Sequence, residues 1–416
     1  MIYTEFLNES SYVLGKEKKM TIPEPCVGLP TMENHETFSS QTEPQSAQIK
    51  EEEKEHLAES KEVSPKEIDY LGKLPAEVGT DYTFKRDIVW FNAIGFLILH
   101  VAAVYGLWVM VFHCYWKTDI WALLVAFSSG MGVTTGAHRL FSHKSYKAPF
   151  ITRLVLILWH TLAGQNCLYI WVRDHRQHHK YSDTDADPHN ANRGFFFSHV
   201  GWLMSRKHPA VIAKGRTIDM SDMEADWLVM FQKEHYKVLY TIFAIFIPTV
   251  VPVFLWNESW WNSFFAAYMF RSILVLNITW LVNSAAHFYG TQPFDKYVKA
   301  VESGFVSFVS VGEGWHNYHH AFPWDYRAAE FGARYSITTF IIDTLAFFGL
   351  AYDLKTTPYY MVQRRAERTG DGSHPIFGKM AEKLEETGKL DDEDIAEIVK
   401  SKDTSGAIRR LATAQG

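Results

Sequence analysis

The sequence predicts an all-α membrane protein: four transmembrane helices as two hairpins, with a helical cytosolic cap holding a di-metal site. Three observations carry that prediction. Apolar stretches at about 88–113, 119–137, 236–256 and 264–286 each approach the roughly 20 residues needed to cross the hydrocarbon core. A long polar segment divides them into two pairs. Three tight histidine clusters sit against them: His138-Arg-Leu-Phe-Ser-His143, His175-Arg-Gln-His178-His179 and His316-Asn-Tyr-His319-His320, with His287 closing the last apolar run.

The pairing follows from the turns. Phe112-His-Cys-Tyr-Trp-Lys-Thr-Asp119 and Trp256-Asn-Glu-Ser-Trp-Trp-Asn262 are short and carry tryptophans suited to the membrane interface. Orientation follows from charge. The 138–235 segment holds Arg139, Lys144, Lys147, Arg153, Arg173, Arg176, Lys180, Arg193, Arg206, Lys207, Lys214, Arg216 and Lys233, whereas the turns hold Lys117 alone. Cytoplasmic loops carry the excess of lysine and arginine, so 138–235 and both termini are placed in the cytosol. The eight clustered histidines and His287 then share one face. Two further apolar segments, 149–171 and 333–353, contain Arg153, His160 and Gln165, and Arg334 and Asp343. Both are expected to lie in the interface or to pack on the cap, because a crossing at 149–171 would separate the first two clusters.

The mean hydropathy of −0.13 blends charged ends with a very apolar middle. Residues 1–85 include Glu51-Glu-Glu-Lys-Glu-His-Leu-Ala-Glu-Ser-Lys-Glu62, which cannot bury enough apolar area to fold alone. We expect a disordered cytosolic tail over 1–85, a membrane domain over 86–360 and a polar cytosolic tail over 361–416. The net charge of −6 comes with no dense basic stripe, which excludes a nucleic-acid partner. Cys26, Cys114 and Cys167 are too far apart for a disulfide framework or a thiolate metal site. No cleaved signal peptide is expected, since no short basic region precedes an apolar stretch at the N-terminus.

Neutral imidazole is the ligand that borderline transition metals favour where no thiolate is offered. Eight or nine imidazoles exceed the needs of one ion, so the count predicts two. Residues three and four apart share a helix face, so His175, His178 and His179 are expected to converge, and His316, His319 and His320 likewise. His138 and His143 are five apart, with a bend expected at Phe141-Ser142. A zinc transporter would place such ligands near the membrane midplane. Here they cap the cytosolic ends of the spans, which favours chemistry over passage.

Gly136-Ala-His-Arg-Leu-Phe-Ser-His143, Trp171-Val-Arg-Asp-His-Arg-Gln-His-His-Lys180 and Gly312-Glu-Gly-Trp-His-Asn-Tyr-His-His320 resemble the histidine boxes of the animal stearoyl-CoA (delta-9) desaturase family, membrane acyl-CoA desaturases with three such boxes. Asp185-Ala-Asp-Pro-His189, Arg193-Gly-Phe-Phe-Phe-Ser-His-Val-Gly-Trp202 and Trp280-Leu-Val-Asn-Ser-Ala-Ala-His287 agree, and the resemblance covers roughly 75–360. It implies a mushroom-shaped fold and a centre of two iron ions (Fe2+). The family's nine histidine ligands match His138, His143, His175, His178, His179, His287, His316, His319 and His320. Its water-mediated asparagine matches Asn283, four residues before His287 and expected on the same helix face.

The implied reaction is the O2-dependent removal of two hydrogens from a saturated long-chain fatty acyl-CoA, giving a cis double bond, at carbon 9 in the delta-9 enzymes, in the endoplasmic-reticulum membrane. Ordinary general-base chemistry cannot reach such C–H bonds, so a redox metal is needed. Electrons in the family come from cytochrome b5 and its NADH-dependent reductase. Fused relatives carry a His-Pro-Gly-Gly motif where the tail here has only His374-Pro-Ile-Phe377, so the donor is expected to be a separate protein. Substrate-binding positions map onto Asn92, Asn166, Arg173, Asp174, Arg206, Lys207 and Trp280. Arg206 and Lys207 would pair with CoA phosphates, although such a pair also suits anionic lipid.

Ala126 and Gly130 lie twelve and eight residues before His138, about 18 and 12 Å along a helix. They align with the family's tunnel-end positions, where small residues imply a deep tunnel; close helix packing would equally favour them. Asp185 and Asp187 are expected to orient the histidines. The boxes leave open a different regiochemistry, a lipid hydroxylase, or a catalytically silent lipid-binding protein.

Overall fold

The computed structural model describes residues 79–378; most of the expected tails, 1–78 and 379–416, lies outside the described residues. Among the described residues there is no β-strand, only isolated bridges. Helices α1 (Trp90–His113) and α2 (Trp116–Ser142) form the first hairpin. Then come α3 (Phe150–Ala163), α4 (Leu168–Tyr181) and the short α5 (Phe195–His199). Helices α6 (Tyr236–Trp256) and α7 (Trp260–His287) form the second hairpin. After them follow α8 (His316–Ala321), α9 (Ile337–Phe347) and α10 (Tyr359–Thr369). Among the described residues, only α1, α2, α6 and α7 are long and apolar enough to cross a membrane as single helices, and they coincide with the four expected spans.

The hairpins pack through their small residues. A Cβ added at Gly106 of α1 would collide with the Phe265 carbonyl of α7, and one at Gly132 of α2 with the Trp159–His160 backbone of α3. Close approach of this kind replaces the hydrophobic drive that lipid does not supply. The outer faces keep Leu97, Val101, Val104 and Val111 exposed, as lipid-facing positions require. Glu258, buried in the second turn, ties the two turns together. It accepts bonds from the Tyr115 N–H at 2.9 Å, the Thr118 hydroxyl at 2.7 Å and the Asn262 amide at 3.0 Å. Within the spans, buried Arg271 of α7 donates to the carbonyls of Leu162 and Ala244 at 2.6 and 2.7 Å, joining α3, α6 and α7.

The 149–171 run is not a crossing. Gly164 (φ 69°) and Asn166 (φ 77°) break it, and α3 and α4 meet at 84°. His143 and His175, on either side of it, face each other at 2.8 Å, so both ends lie at the same place. The 333–353 run is shorter than expected because the Ser336 hydroxyl caps α9, accepting from Thr339 N at 3.2 Å. Phe340 and Phe347 of α9, and Phe348 just after it, stay exposed, as an interface helix requires. Folded structure also extends past residue 360. Val362 and Ala366 of α10, with Ile376 and Phe377, pack on Phe294, Tyr318 and Phe322.

The last eleven residues of α2, Gly132–Ser142, are wound as a π-helix. Its i→i+5 pairing includes His143 N–H donating to His138 O at 3.2 Å. A spacing of five therefore stacks His138 and His143 on one face, where a bend was expected.

Candidate metal centre

The nine histidines gather into two groups: His138, His143, His175, His179 and His319, and His178, His287, His316 and His320. In the first, Nε2 atoms of His138 and His319 are 2.8 Å apart, those of His143 and His175 2.8 Å, and those of His179 and His319 3.0 Å. In the second, the Nε2 of His320 lies 3.2 Å from that of His178 and 3.1 Å from that of His316. The HxxHH clusters do not converge as units. Each sends its i, i+4 pair to one centre and the residue between to the other: His175 and His179 join His319, and His316 and His320 join His178.

These side chains fit metal ions better than they fit each other. The Nδ1 of His138 faces Glu313 Oε2 at 2.6 Å and that of His178 faces Asp187 Oδ2 at 2.8 Å, so both carry their proton there and turn a bare Nε2 lone pair inward. The Nε2 of His319 is close to two imidazoles and has one proton at most to offer. Lone pairs aimed together at such distances repel unless a cation lies between them. An ion about 2.1 Å from each nitrogen would space neighbouring ligand atoms by roughly 3 Å. The Nε2 of buried His287 has no hydrogen-bond partner, as a waiting ligand would show. Burial first, and neighbouring imidazoles second, hold His143, His175, His179, His316, His319 and His320 well below the ordinary imidazole range. They are therefore neutral, the form that binds metal.

Carboxylates surround both centres. Asp187 serves as expected, but Asp185 pairs with Arg193 and accepts from Asp81 N at 2.8 Å; a guanidinium outcompetes a neutral imidazole. The sequence reasoning missed Glu313, which also binds Arg139 at 2.7 Å, and Asp183, 3.3 Å from His287 Nδ1. Glu313 stands inside the third box, and that was the available signal. A third grouping, His178, Asp187 and His189, shares His178 with the second centre and reads as its supporting shell. Trp171 stacks on His175 (5.0 Å, 18°) and donates to Gln165 at 3.1 Å, which donates to Thr279 of α7 at 2.7 Å. This link from α4 to α7 was also missed. Asn283 is half-buried, but the α-helix of α7 ends on it, and His287 sits on a following 3-10 turn. The expected shared helix face does not hold.

Of the expected substrate residues, Arg173, Asp174 and Lys207 come together: Asp174 binds Arg173 at 2.7 Å and Lys207 at 3.1 Å. Burial would raise the Asp174 carboxyl, but Lys207 and Arg173 hold it at about 2. Arg206 does not join them. It is exposed, 4.0 Å from Asp87, beside a recess also lined by Arg86, Arg193 and Lys207. Asn92 donates to Leu203 O at 3.1 Å and Asn166 accepts from Cys167 N at 2.9 Å, so one amide atom of each serves the chain itself. Trp280 is buried between Phe96 and His199. Ala126 packs against the cluster of Val133, Ala163 and Val275, whereas a Cβ on Gly130 would meet open space.

Fold and site together define a membrane protein with two adjoining imidazole clusters, each of which could hold a metal ion. The family model described as "Fatty acid desaturase" matches residues 116–333. The chain is 56% identical over 296 residues to an acyl-CoA Delta-9 desaturase of Acheta domesticus, covering 71% of this chain and 82% of that protein. It is 51% identical over 290 residues to a stearoyl-CoA desaturase of Homo sapiens (70% and 80%). It is 50% identical over 297 residues to an acyl-CoA Delta12-desaturase of Acheta domesticus (71% and 83%). The chain belongs to the fatty acid desaturase family.

Proposed function

We propose that the protein is a di-iron acyl-CoA desaturase of the endoplasmic-reticulum membrane, with both termini cytosolic. It introduces a cis double bond at carbon 9 of saturated long-chain fatty acyl-CoA. The observation that carries this is the pair of adjoining imidazole centres at the ends of membrane-crossing helices. A bound pair of irons would supply the redox chemistry by which O2, two electrons and two protons remove two hydrogens from neighbouring methylenes, with both oxygen atoms leaving as water. The electrons come from cytochrome b5 and its NADH-dependent reductase.

The side chains have separable tasks. Arg173, Asp174 and Lys207 form a fixed polar group for the head of the substrate, to which Asn92 and Asn166 would add amide hydrogen bonds. The cations Arg86, Arg193, Arg206 and Lys207 around one recess suit the phosphates of CoA. Asn283 would help hold the ion of the second histidine group through a water, and Trp280 would line the acyl path. Similarity to the Delta-9 relative supports carbon 9, and the Delta12 relative defines the rival regiochemistry.

Expression in a yeast lacking its own delta-9 desaturase, followed by methyl-ester analysis, tests the reading. Rescue with C16:1 and C18:1 unsaturated at carbon 9 is expected. An alkene elsewhere on the chain would overturn the regiochemistry, and no new alkene from expressed, iron-loaded protein would overturn the function.

Gly130 and Ala126 are read as the far end of the acyl tunnel. The space beside Gly130 accommodates a larger side chain without disturbing the helix. Gly130→Leu is therefore expected to fold normally and to shift preference from C18 towards shorter acyl-CoA. An unchanged chain-length profile would remove Gly130 from the tunnel.

A further inference from the structure

We infer that His199 is a positioning residue: its imidazole clamps Ser284 at the break in α7 and so sets the aim of His287 into the second histidine centre. The inference rests on the two-metal reading above. The α-helix of α7 ends at Asn283. Ser284 leaves its path (φ −113°, ψ −77°), and the chain tightens into Ala285–His287, with His287 N–H donating to Ser284 O at 2.8 Å. His287 therefore depends on how Ser284 is held.

The hydroxyl of Ser284 has two acceptors within reach: Trp280 O of its own helix at 2.8 Å and His199 Nδ1 at 2.9 Å. A serine bonding back to its own preceding turn bends helices by itself, so the neighbour decides which geometry is kept. The rest of the network makes that choice. His100 Nδ1 lies 2.7 Å from Phe96 O; a carbonyl only accepts, so His100 carries its proton on Nδ1. Its Nε2 then accepts from the Asn277 amide at 3.2 Å, and that amide also donates to Ile273 O at 2.8 Å. The Asn277 oxygen, 3.2 Å from His199 Nε2, accepts from it. The Nδ1 of His199 is left as a lone pair, and the Ser284 hydroxyl donates to it.

Donation thus runs in an unbroken line from the break in α7 to α1. His199 belongs to α5, outside the four spans, and is seated by stacking on Phe195 (5.7 Å, 12°) and by its edge against Trp280 (5.7 Å, 79°). Each link polarises the next. None of these side chains is in either ligand group.

The test compares His199 variants that keep different links. Asn at 199 reaches only as far as Nδ1 did and retains the Ser284 bond. Gln reaches as far as Nε2 did and retains the Asn277 bond, and Phe keeps the stacking alone. Iron content and chelator competition are read on purified full-length protein, against a wild type carrying two irons. We expect His199→Gln and His199→Phe to bind one iron about tenfold more weakly, at the low end for residues supporting metal ligands, with the other iron unchanged. His199→Asn should stay near wild type, and Ser284→Ala should reproduce the Gln variant. Two irons held at wild-type affinity in His199→Phe would overturn the clamp. So would equal weakness of the Asn and Phe variants, or parallel loss of both irons. A wild type without two irons would overturn the metal reading, and the clamp with it.

Discussion

His319→Ala and His320→Ala are expected to strip different irons from the protein although the two residues are neighbours. In an α-helix each residue turns the side chain by about 100°, so residue i+4 returns within about 40° of residue i while the neighbours i+3 and i+4 diverge by about 100°. Each HxxHH cluster therefore presents one pair and one single ligand. Helices α4 and α8 are placed so that each pair meets the other's single. We expect each substitution to leave about one iron per protein and to reduce desaturation below detection, because the reaction needs both ions. Mössbauer spectra of the residual iron should group His175→Ala, His179→Ala and His319→Ala together. They should place His178→Ala, His316→Ala and His320→Ala in a second group. One common residual spectrum would dissolve the crossed assignment.

That these histidines gather was legible because histidine repeated at helical spacing beside an apolar span has few other uses. Their division between centres was not, since it depends on how α4 and α8 are placed. The four spans were readable from hydropathy, yet α2 continues to Ser142 through a π-helix that leaves no mark in composition. The turn between α3 and α4 was marked by Gly164 and Asn166, but nothing in those residues states the angle. Asp183 and Glu313 look like any solvated carboxylate until the fold buries them against imidazoles. The packed segment beyond residue 360 was read as tail because α10 shows only two buried positions, Val362 and Ala366. The polar network of His100, Asn277 and His199 draws its members from three distant elements, and no local pattern joins them.

Glu313→Gln is expected to damage both stability and metal retention, and the two losses can be separated. Glu313 lies between His138 at 2.6 Å and Arg139 at 2.7 Å, with 6% of its side chain exposed and 1% of that of Arg139. Burial alone would raise its carboxyl, but the Arg139 guanidinium and His138 hold it down at about 2. A depressed carboxyl contributes stability that is complete above its ordinary value, near 4.5, and is lost as pH falls through about 2. Between pH 5 and 8 the pair is therefore intact, and the substitution, not pH, is the way to break it. A glutamine leaves the buried guanidinium without a counter-charge, a loss of about 3 kcal/mol or more. Arg139 also donates to Tyr326 O and Thr339 Oγ1 at 2.8 and 3.1 Å, so α2 loosens from the segment leading into α9. His138 meanwhile loses the carboxylate that orients it, which lowers metal affinity about tenfold or more. Adding Arg139→Met removes the stranded charge. The double variant should regain much of the thermal stability while its iron remains weakly held. If stability and iron affinity recover together, the role of Glu313 is to neutralise Arg139. If neither recovers, the bonds of Arg139 to Tyr326 and Thr339 hold the site on their own account.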